Sequence, residues 1–242
     1  MVNQYNDKLT QEQSINLLEE SDSAKHLLAY GVCALRTAAF IETTRDPIMT
    51  MLSIGVEKLL KLALGLLHVK DYACWPPLKV LKNEYRHDLI KMEKLLRGEI
   101  HDRLNQATHP HYVELSLREL EDDPVWPPIL AALNRYGQEG RFYYLDALAQ
   151  NPQRKASPKS FWEDVEGAAL ESEKDLSTLF RLMAENFSLH KDFNRQLNGR
   201  VADSLQRWWN LVTTAAIQGV LGQRGKAWGH DIKMVGHQVE RD

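Results

Sequence analysis

DPIMTMLSIGVEKLLKLALGLL, residues 46 to 67, is the stretch whose reading decides the fold. At helical spacing Ile48, Leu52, Val56, Leu59, Ala63 and Leu66 form one stripe, while Ile54 and Leu64 fall on the opposite side. A helix apolar nearly all round belongs in the centre of a bundle. Its central charges, Glu57, Lys58 and Lys61, argue against a membrane span, because each would cost roughly 2.5–3.5 kcal/mol at mid-bilayer. Glu57 and Lys61 stand one turn apart, and their pairing lowers the cost of holding charge in a partly buried place. Asp46 followed by Pro47 predicts the start of this helix, with aspartate as N-cap and proline in the first turn.

Outward from this segment, apolar residues recur at spacings of three and four, and strand-like alternation with glycine hairpins is absent. The fold class is therefore all-α, a multi-helix bundle with no β-sheet. Thr10 and Gln13 have the spacing of a capping box for a first short helix, and a second is expected from about Ser23 to Thr43. Leu78, Leu81, Tyr85, Leu89, Met92 and Leu96 predict an amphipathic helix after Trp75-Pro76-Pro77, weakened or ended by Gly98. A short helix near Glu114–Leu120 and another opened by Asp123-Pro124 and Trp126 follow, the latter bent by Gly137 and Gly140. A helical segment to about His190 and an apolar one from Val201 to Leu221 complete the bundle. The end, Gly222 to Asp231, is glycine-rich and basic and reads as a loop. We expect one helical domain over 1–242, with 151–159 as linker if it divides into 1–150 and 160–242.

Asp71, Trp75-Pro76-Pro77, Asn83 and Tyr85 recur at constant offset as Asp122, Trp126-Pro127-Pro128, Asn134 and Tyr136. The simplest reading is a shared way of opening a helix, with tryptophan packed outside the first turn and prolines fixing φ. The other reading is a paired aromatic ligand site.

Met1–Lys8 lacks a basic segment followed by an apolar one, so it does not read as a secretory signal, and the expected location is cytoplasmic. Two cysteines, Cys33 and Cys74, are too few for a disulfide framework and are expected as reduced core thiols. A formal net charge of −3 argues against a chain coated for nucleic acid. It leaves room for a local basic site, since seven Lys and Arg face three Asp and Glu between His190 and His237.

Gly55-Val56-Glu57-Lys58 with Lys61, followed by Tyr85-Arg86-His87-Asp88-Leu89, resembles the HEPN superfamily. Its helical bundles pair a Glu-Lys-x-Leu-Lys helix with a later Gly/Arg-His-Asp-Leu turn. The resemblance spans about residues 47–97 and implies a HEPN-like core around Glu57, Lys58 and His87. It further implies a metal-independent ribonuclease of a toxin or phage-defence system, or a silent relative, that self-associates and needs no cofactor. Active members carry Arg-x(4–6)-His, in which a guanidinium holds the scissile phosphate and imidazole takes the proton of the attacking 2′-hydroxyl. Arg103 with His109 and Arg224 with His230 both fit. The second is the better catalytic pair, because a glycine loop with Lys226 beside it offers backbone N–H groups to an anion. The plain alternative there is a polar helix end and solvated tail. No polar residue follows either arginine directly, which favours the silent form, a HEPN-like module binding a protein partner or a second copy.

His87 has two readings. On a helix continuous from Pro77 it projects opposite the apolar stripe; if the helix restarts with Asp88 as N-cap, it can turn toward Glu57 or Lys58. Three His-Asp dipeptides, at 87–88, 101–102 and 230–231, raise a different class, an HD-type metal-dependent phosphohydrolase, with His68, His87-Asp88 and Asp122 or Asp123 in suitable order. His101, His109 and His111 make a weaker metal set. No P-loop, dinucleotide fingerprint or nucleophile elbow occurs, so no cofactor is indicated. Trp208 and Trp209 are expected in the core or at a dimer interface.

Overall fold

The computed structural model of the protein describes residue 5 and residues 7–233. The first four residues of the segment without a signal pattern, Asn6, and the tail with His237 lie outside the described residues. Those described form α-helices with short 3-10 and π turns, and contain no strand.

α1 (Gln11–Thr37) opens with the expected capping box: Gln13 N–H donates to Thr10 Oγ1 at 3.1 Å, and Thr10 N–H to Gln13 Oε1 at 2.9 Å. It continues without interruption through Ser23, so the two helices expected there are one; no glycine or proline stands between Thr10 and Tyr30 to break it. α2 (Ile41–Tyr72) lies antiparallel to α1. A Cβ on Gly31 would meet the Leu52 side chain at 2.7 Å, and one on Gly55 would meet Leu28 at 2.9 Å. Two glycines thus let the helices approach closely.

α2 starts a turn and a half before its expected cap. Pro47 lies inside it, and the Thr43 and Thr44 hydroxyls donate to the Phe40 carbonyl. Proline forfeits only one backbone bond near this exposed end, so the helix tolerates it. All six residues of the stripe are buried, as is Leu64, while Ile54 stays at the surface. The expected pair forms: Lys61 Nζ donates to Glu57 Oε1 at 2.6 Å.

α3 (Leu89–Asp102), α5 (Trp126–Gln138) and α10 (Gly222–Asp231) pack against α2 with α1. A second long helix, α9 (His190–Ile217), packs on α1, α4 (Pro110–Glu121), α5, α7 (Pro158–Ser172), α8 (Lys174–Glu185) and α10. α6 (Tyr143–Leu148) is a short surface turn. One hydrophobic core contains residues from Leu17 to Ile232.

Several expected boundaries move. Gly98 does not end its helix, which runs to Asp102; its surroundings are open and α-geometry is merely disfavoured there. α4 begins at Pro110, a proline in the first turn, and α9 begins at His190 rather than Val201. Residues 222–231 are helical, not a loop: Gly229 lies too close to Ala216–Ile217 of α9 for any Cβ, and this packing outweighs the helix cost of glycine; Gly225 is equally tight against Leu221, the residue that opens α10. Cys74 is exposed and Cys33 half-buried, so neither fills the core as expected; both are free thiols.

The two Trp-Pro-Pro copies open helical segments yet pack differently. The Trp75 ring covers Gly65, where a Cβ would lie 2.3 Å from it. Trp126 stacks on Trp208 at 5.1 Å with ring planes 14° apart, and Trp209 donates to the Ile232 carbonyl at 3.0 Å. The tryptophans of α9 are therefore core residues. The polar stretch 151–157 is tied down by buried Arg135, whose Nε donates to the Ala156 carbonyl at 3.0 Å.

Asp123, just ahead of α5, is buried and holds α9 by charge. Arg200 Nη2 reaches its Oδ1 at 2.6 Å, Arg207 Nη1 its Oδ2 at 2.8 Å, and the Val125 N–H its Oδ1 at 3.1 Å. Burial alone would raise the Asp123 carboxyl; Arg200, Arg207 and the backbone donor outweigh it and hold the group below its ordinary 3.8. A depressed carboxyl stabilises the fold above its unfolded pKa and loses that contribution as pH falls through the folded value. Acid unfolding should therefore steepen below pH 3.8. Asp123→Asn should lose that pH dependence and be less stable by about 3 kcal/mol at neutral pH, read by denaturant titration.

Glycine-to-alanine changes should have opposite signs at two sites. Gly65→Ala must displace Trp75 and should cost about 1–3 kcal/mol. Gly98→Ala adds a Cβ into open space within a helix and should stabilise by about 0.5–1 kcal/mol, both measured by thermal unfolding.

Candidate functional site

The amphipathic helix expected over 78–96 is broken in the middle. Val80–Tyr85 is wound as a π-helix, and α3 starts only at Leu89. Between them, Asp88 N–H donates to the Tyr85 carbonyl at 3.2 Å, and Arg86 adopts φ 50°, ψ −124°. These are the angles of the first central residue of a type II′ turn, a position that glycine takes without strain. Asp88 then caps α3, its Oδ1 accepting from the Lys91 N–H at 3.0 Å. Leu78 is consequently 61% exposed, whereas Leu89, Met92 and Leu96 keep their buried stripe.

This break selects one of the two readings of His87. Its Nδ1 lies 3.0 Å from Glu57 Oε1 and 3.1 Å from Oε2, while Glu57 also accepts from Lys61. The Glu57 side chain is 17% exposed and that of His87 61%. One ring nitrogen is thus held by a largely covered carboxylate, and most of the ring faces solvent. Lys58 points elsewhere, pairing with Glu20 Oε2 at 2.6 Å and the Ser23 hydroxyl at 3.0 Å.

The surrounding surface is basic. Between Lys79 and Arg97 stand six Lys and Arg against three Asp and Glu. Lys79, Lys82, Arg86, Lys91 and Lys94 are exposed. Of the acids, Asp88 is spent on its cap and Glu93 is buried against Arg97, with burial pushing its carboxyl above the usual range. Such a surface attracts polyanions although the chain as a whole is acidic.

The Arg224–His230 pair does not come together. Six residues along α10 turn the chain through about 600°, leaving the two side chains about 120° apart around the helix axis. Arg224 donates to both Asp7 oxygens, at 2.6 and 3.0 Å, lies 3.3 Å from the Ser14 hydroxyl, and stacks 4.5 Å above the Tyr5 ring. It anchors the amino-terminal arm; His230 is exposed on another face. Lys226 donates to the Thr108 hydroxyl at 3.0 Å. Beside Arg224 a cavity of about 330 Å³ is lined by Tyr5, Asp7, Leu66, Val69, Lys70 and Leu221, among others. Burial and Arg103 lower the Lys70 pKa there.

The other match is also structural. Arg103 grips Asp71 through both carboxylate oxygens at 2.8 Å and reaches Glu99 at 2.7 Å; Asp71 foremost raises its pKa. The HD-type set is not assembled: His68 packs on Tyr72 with centroids 4.5 Å apart, and Asp123 is taken by Arg200 and Arg207. No group of three or more His, Cys, Asp or Glu suited to a metal ion occurs among the described residues.

In comparisons with known proteins, no family model, no curated protein and no solved structure matches the chain. No helix among the described residues is long and apolar enough to cross a membrane.

Sequence reasoning missed Asn134, whose Oδ1 accepts from the Leu89 N–H at 2.8 Å across the α3–α5 contact. Its place in the Trp-Pro-Pro repeat was a signal, but the partner amide is distant in sequence. Arg224→Ala should release the arm, so amide exchange at Lys8–Gln13 should accelerate at least tenfold while exchange in α2 stays unchanged.

Proposed function

We propose that this protein is a HEPN-like bundle that engages RNA at the basic surface around His87 and cleaves it without a metal, as toxin and defence ribonucleases of that kind do. The observation that carries the reading is Glu57 holding His87 by one ring nitrogen on an exposed turn flanked by Lys79, Lys82, Lys91 and Lys94. A carboxylate on Nδ1 fixes the tautomer and leaves Nε2 as the proton acceptor. In the reaction Nε2 takes the proton of the ribose 2′-hydroxyl, and the 2′-oxygen attacks the neighbouring phosphorus. The bond to the 5′-oxygen breaks, water returns a proton to that oxygen, and a cyclic phosphate remains. Arg86 and the nearby lysines supply the positive charge that phosphate binding needs. Arg224 and His230 have no part in this scheme.

A second reading is supported by the way both arginines of the Arg-x5-His matches are committed to internal carboxylates. On it the protein is a silent HEPN-like module that self-associates or binds a protein. The exposed Phe40 and Phe187, with half-buried His190 between them, suit such contact, His190 stacking on Phe187 at 5.1 Å.

Single-stranded RNA incubated with the protein in chelator separates the two. Cleavage should occur, fall about 10²–10⁴-fold in His87→Ala, and persist in Arg224→Ala and His230→Ala. No cleavage by the unaltered protein, or equal cleavage by His87→Ala, overturns the ribonuclease reading; a dimer in light scattering would then support the second.

A further inference from the structure

The apolar pattern and the backbone disagree over residues 78–96. Leu78, Leu81, Tyr85, Leu89, Met92 and Leu96 are spaced for one uninterrupted helix. The observed chain instead carries a π-helix, a left-handed-region arginine and a new cap within nine residues, 80–88. π-helical turns and strained φ, ψ pairs persist only where their surroundings impose them. The imposing contacts can be named. In an uninterrupted helix the Leu89 N–H would bond to the Tyr85 carbonyl; here that carbonyl accepts from Asp88, and Asn134 Oδ1 takes the Leu89 N–H at 2.8 Å. Gln138 Nε2, one turn along α5, lies 3.3 Å from the same oxygen and orients the amide. Lys91 Nζ donates to the Glu84 carbonyl at 2.8 Å, covering one of the acceptors that the break exposes.

We infer that the Tyr85–Asp88 break is a two-state element, with Asn134 as the positioning residue that holds it in the form placing His87 against Glu57. In the other state the helix closes, Leu89 N–H returns to the Tyr85 carbonyl, and His87 swings opposite the apolar stripe, away from Glu57. Arg86 weights the balance toward closure, because its backbone is strained only in the broken form. A glycine there would remove that strain and lock the break. The break is thus adjustable by anything that moves α5 relative to α3. Its functional meaning, control of the His87 site, rests on the ribonuclease reading; its structural content does not.

Imidazole ¹⁵N spectra of the full chain test it. The unaltered protein should show one His87 signal with Nδ1 hydrogen-bonded to Glu57. Asn134→Ala should shift the population about tenfold, the worth of one hydrogen bond, and bring in a second His87 signal or exchange broadening. Asn134→Asp keeps the acceptor and should restore the single signal. Asn134→Ala combined with Arg86→Gly should restore it too, by a different route. Arg86→Gly alone should raise the melting temperature, a result independent of whether Asn134→Ala folds. An unchanged His87 spectrum in folded Asn134→Ala overturns the inference, as does failure of Arg86→Gly to suppress the change or a fall in its melting temperature. If these spectra behave as expected while RNA stays intact, the ribonuclease reading fails and the two-state turn stands. If RNA is cut through His87 and Asn134→Ala matches the unaltered protein in spectrum and rate, the turn fails alone.

Discussion

A helix with only a narrow polar edge cannot lie on a surface, and α2 imposes that constraint on the rest of the chain. Leu52, Val56, Leu59, Ala63 and Leu66 are covered on one side and Leu60, Leu64 and Leu67 on others, so helices must close around it. α1, α3, α5 and α10 do so. Each brings a particular fit: Gly31 and Gly55 let α1 approach, and Gly65 leaves room for the Trp75 ring. α9 packs on α1, α5 and α10 of this arrangement and is fastened by the buried pairing of Asp123 with Arg200 and Arg207. A buried pair of this kind adds little net stability compared with apolar packing, but it fixes register, because any slip of α9 would strand charges away from water.

The same constraint explains where charge appears on α2. Glu57 and Lys61 lie at the margin of the covered zone, and each reduces the other's desolvation. Glu57 thereby presents acceptor oxygens close to the surface, and a neighbouring histidine can use them. Packing requirements of the central helix and the chemistry of the candidate site meet in one carboxylate.

Both Arg-x5-His matches show why spacing in sequence is a weak guide to an active site. Each pattern is real, but Arg103 closes a junction between α2 and α3 through Asp71 and Glu99, and Arg224 anchors the arm through Asp7. A guanidinium's five donors serve a buried carboxylate as well as a phosphate, and only the partner distinguishes the roles. His87 is the opposite case. Its meaning depended on whether the helix from Pro77 continued, a question on which local propensity was evenly balanced.

What the sequence determined by itself was the all-helical class, the central position of 46–67, the capping box at Thr10 and the Glu57–Lys61 pair. All follow from periodicity or from contacts within one turn, where the chain itself sets the geometry. The helical state of 222–231, the break at Arg86, and the partners of Arg224, Asp123 and His87 were decided only by tertiary structure. Glycine-rich α10 is held as a helix by packing on α9, where Gly229 meets Ala216 and Ile217 too closely for a side chain. The break persists because Asn134, forty-five residues from Leu89, supplies the acceptor that the local chain would otherwise provide. Interactions across such separations leave no period in a single sequence, and local preferences of a fraction of a kcal/mol yield to them.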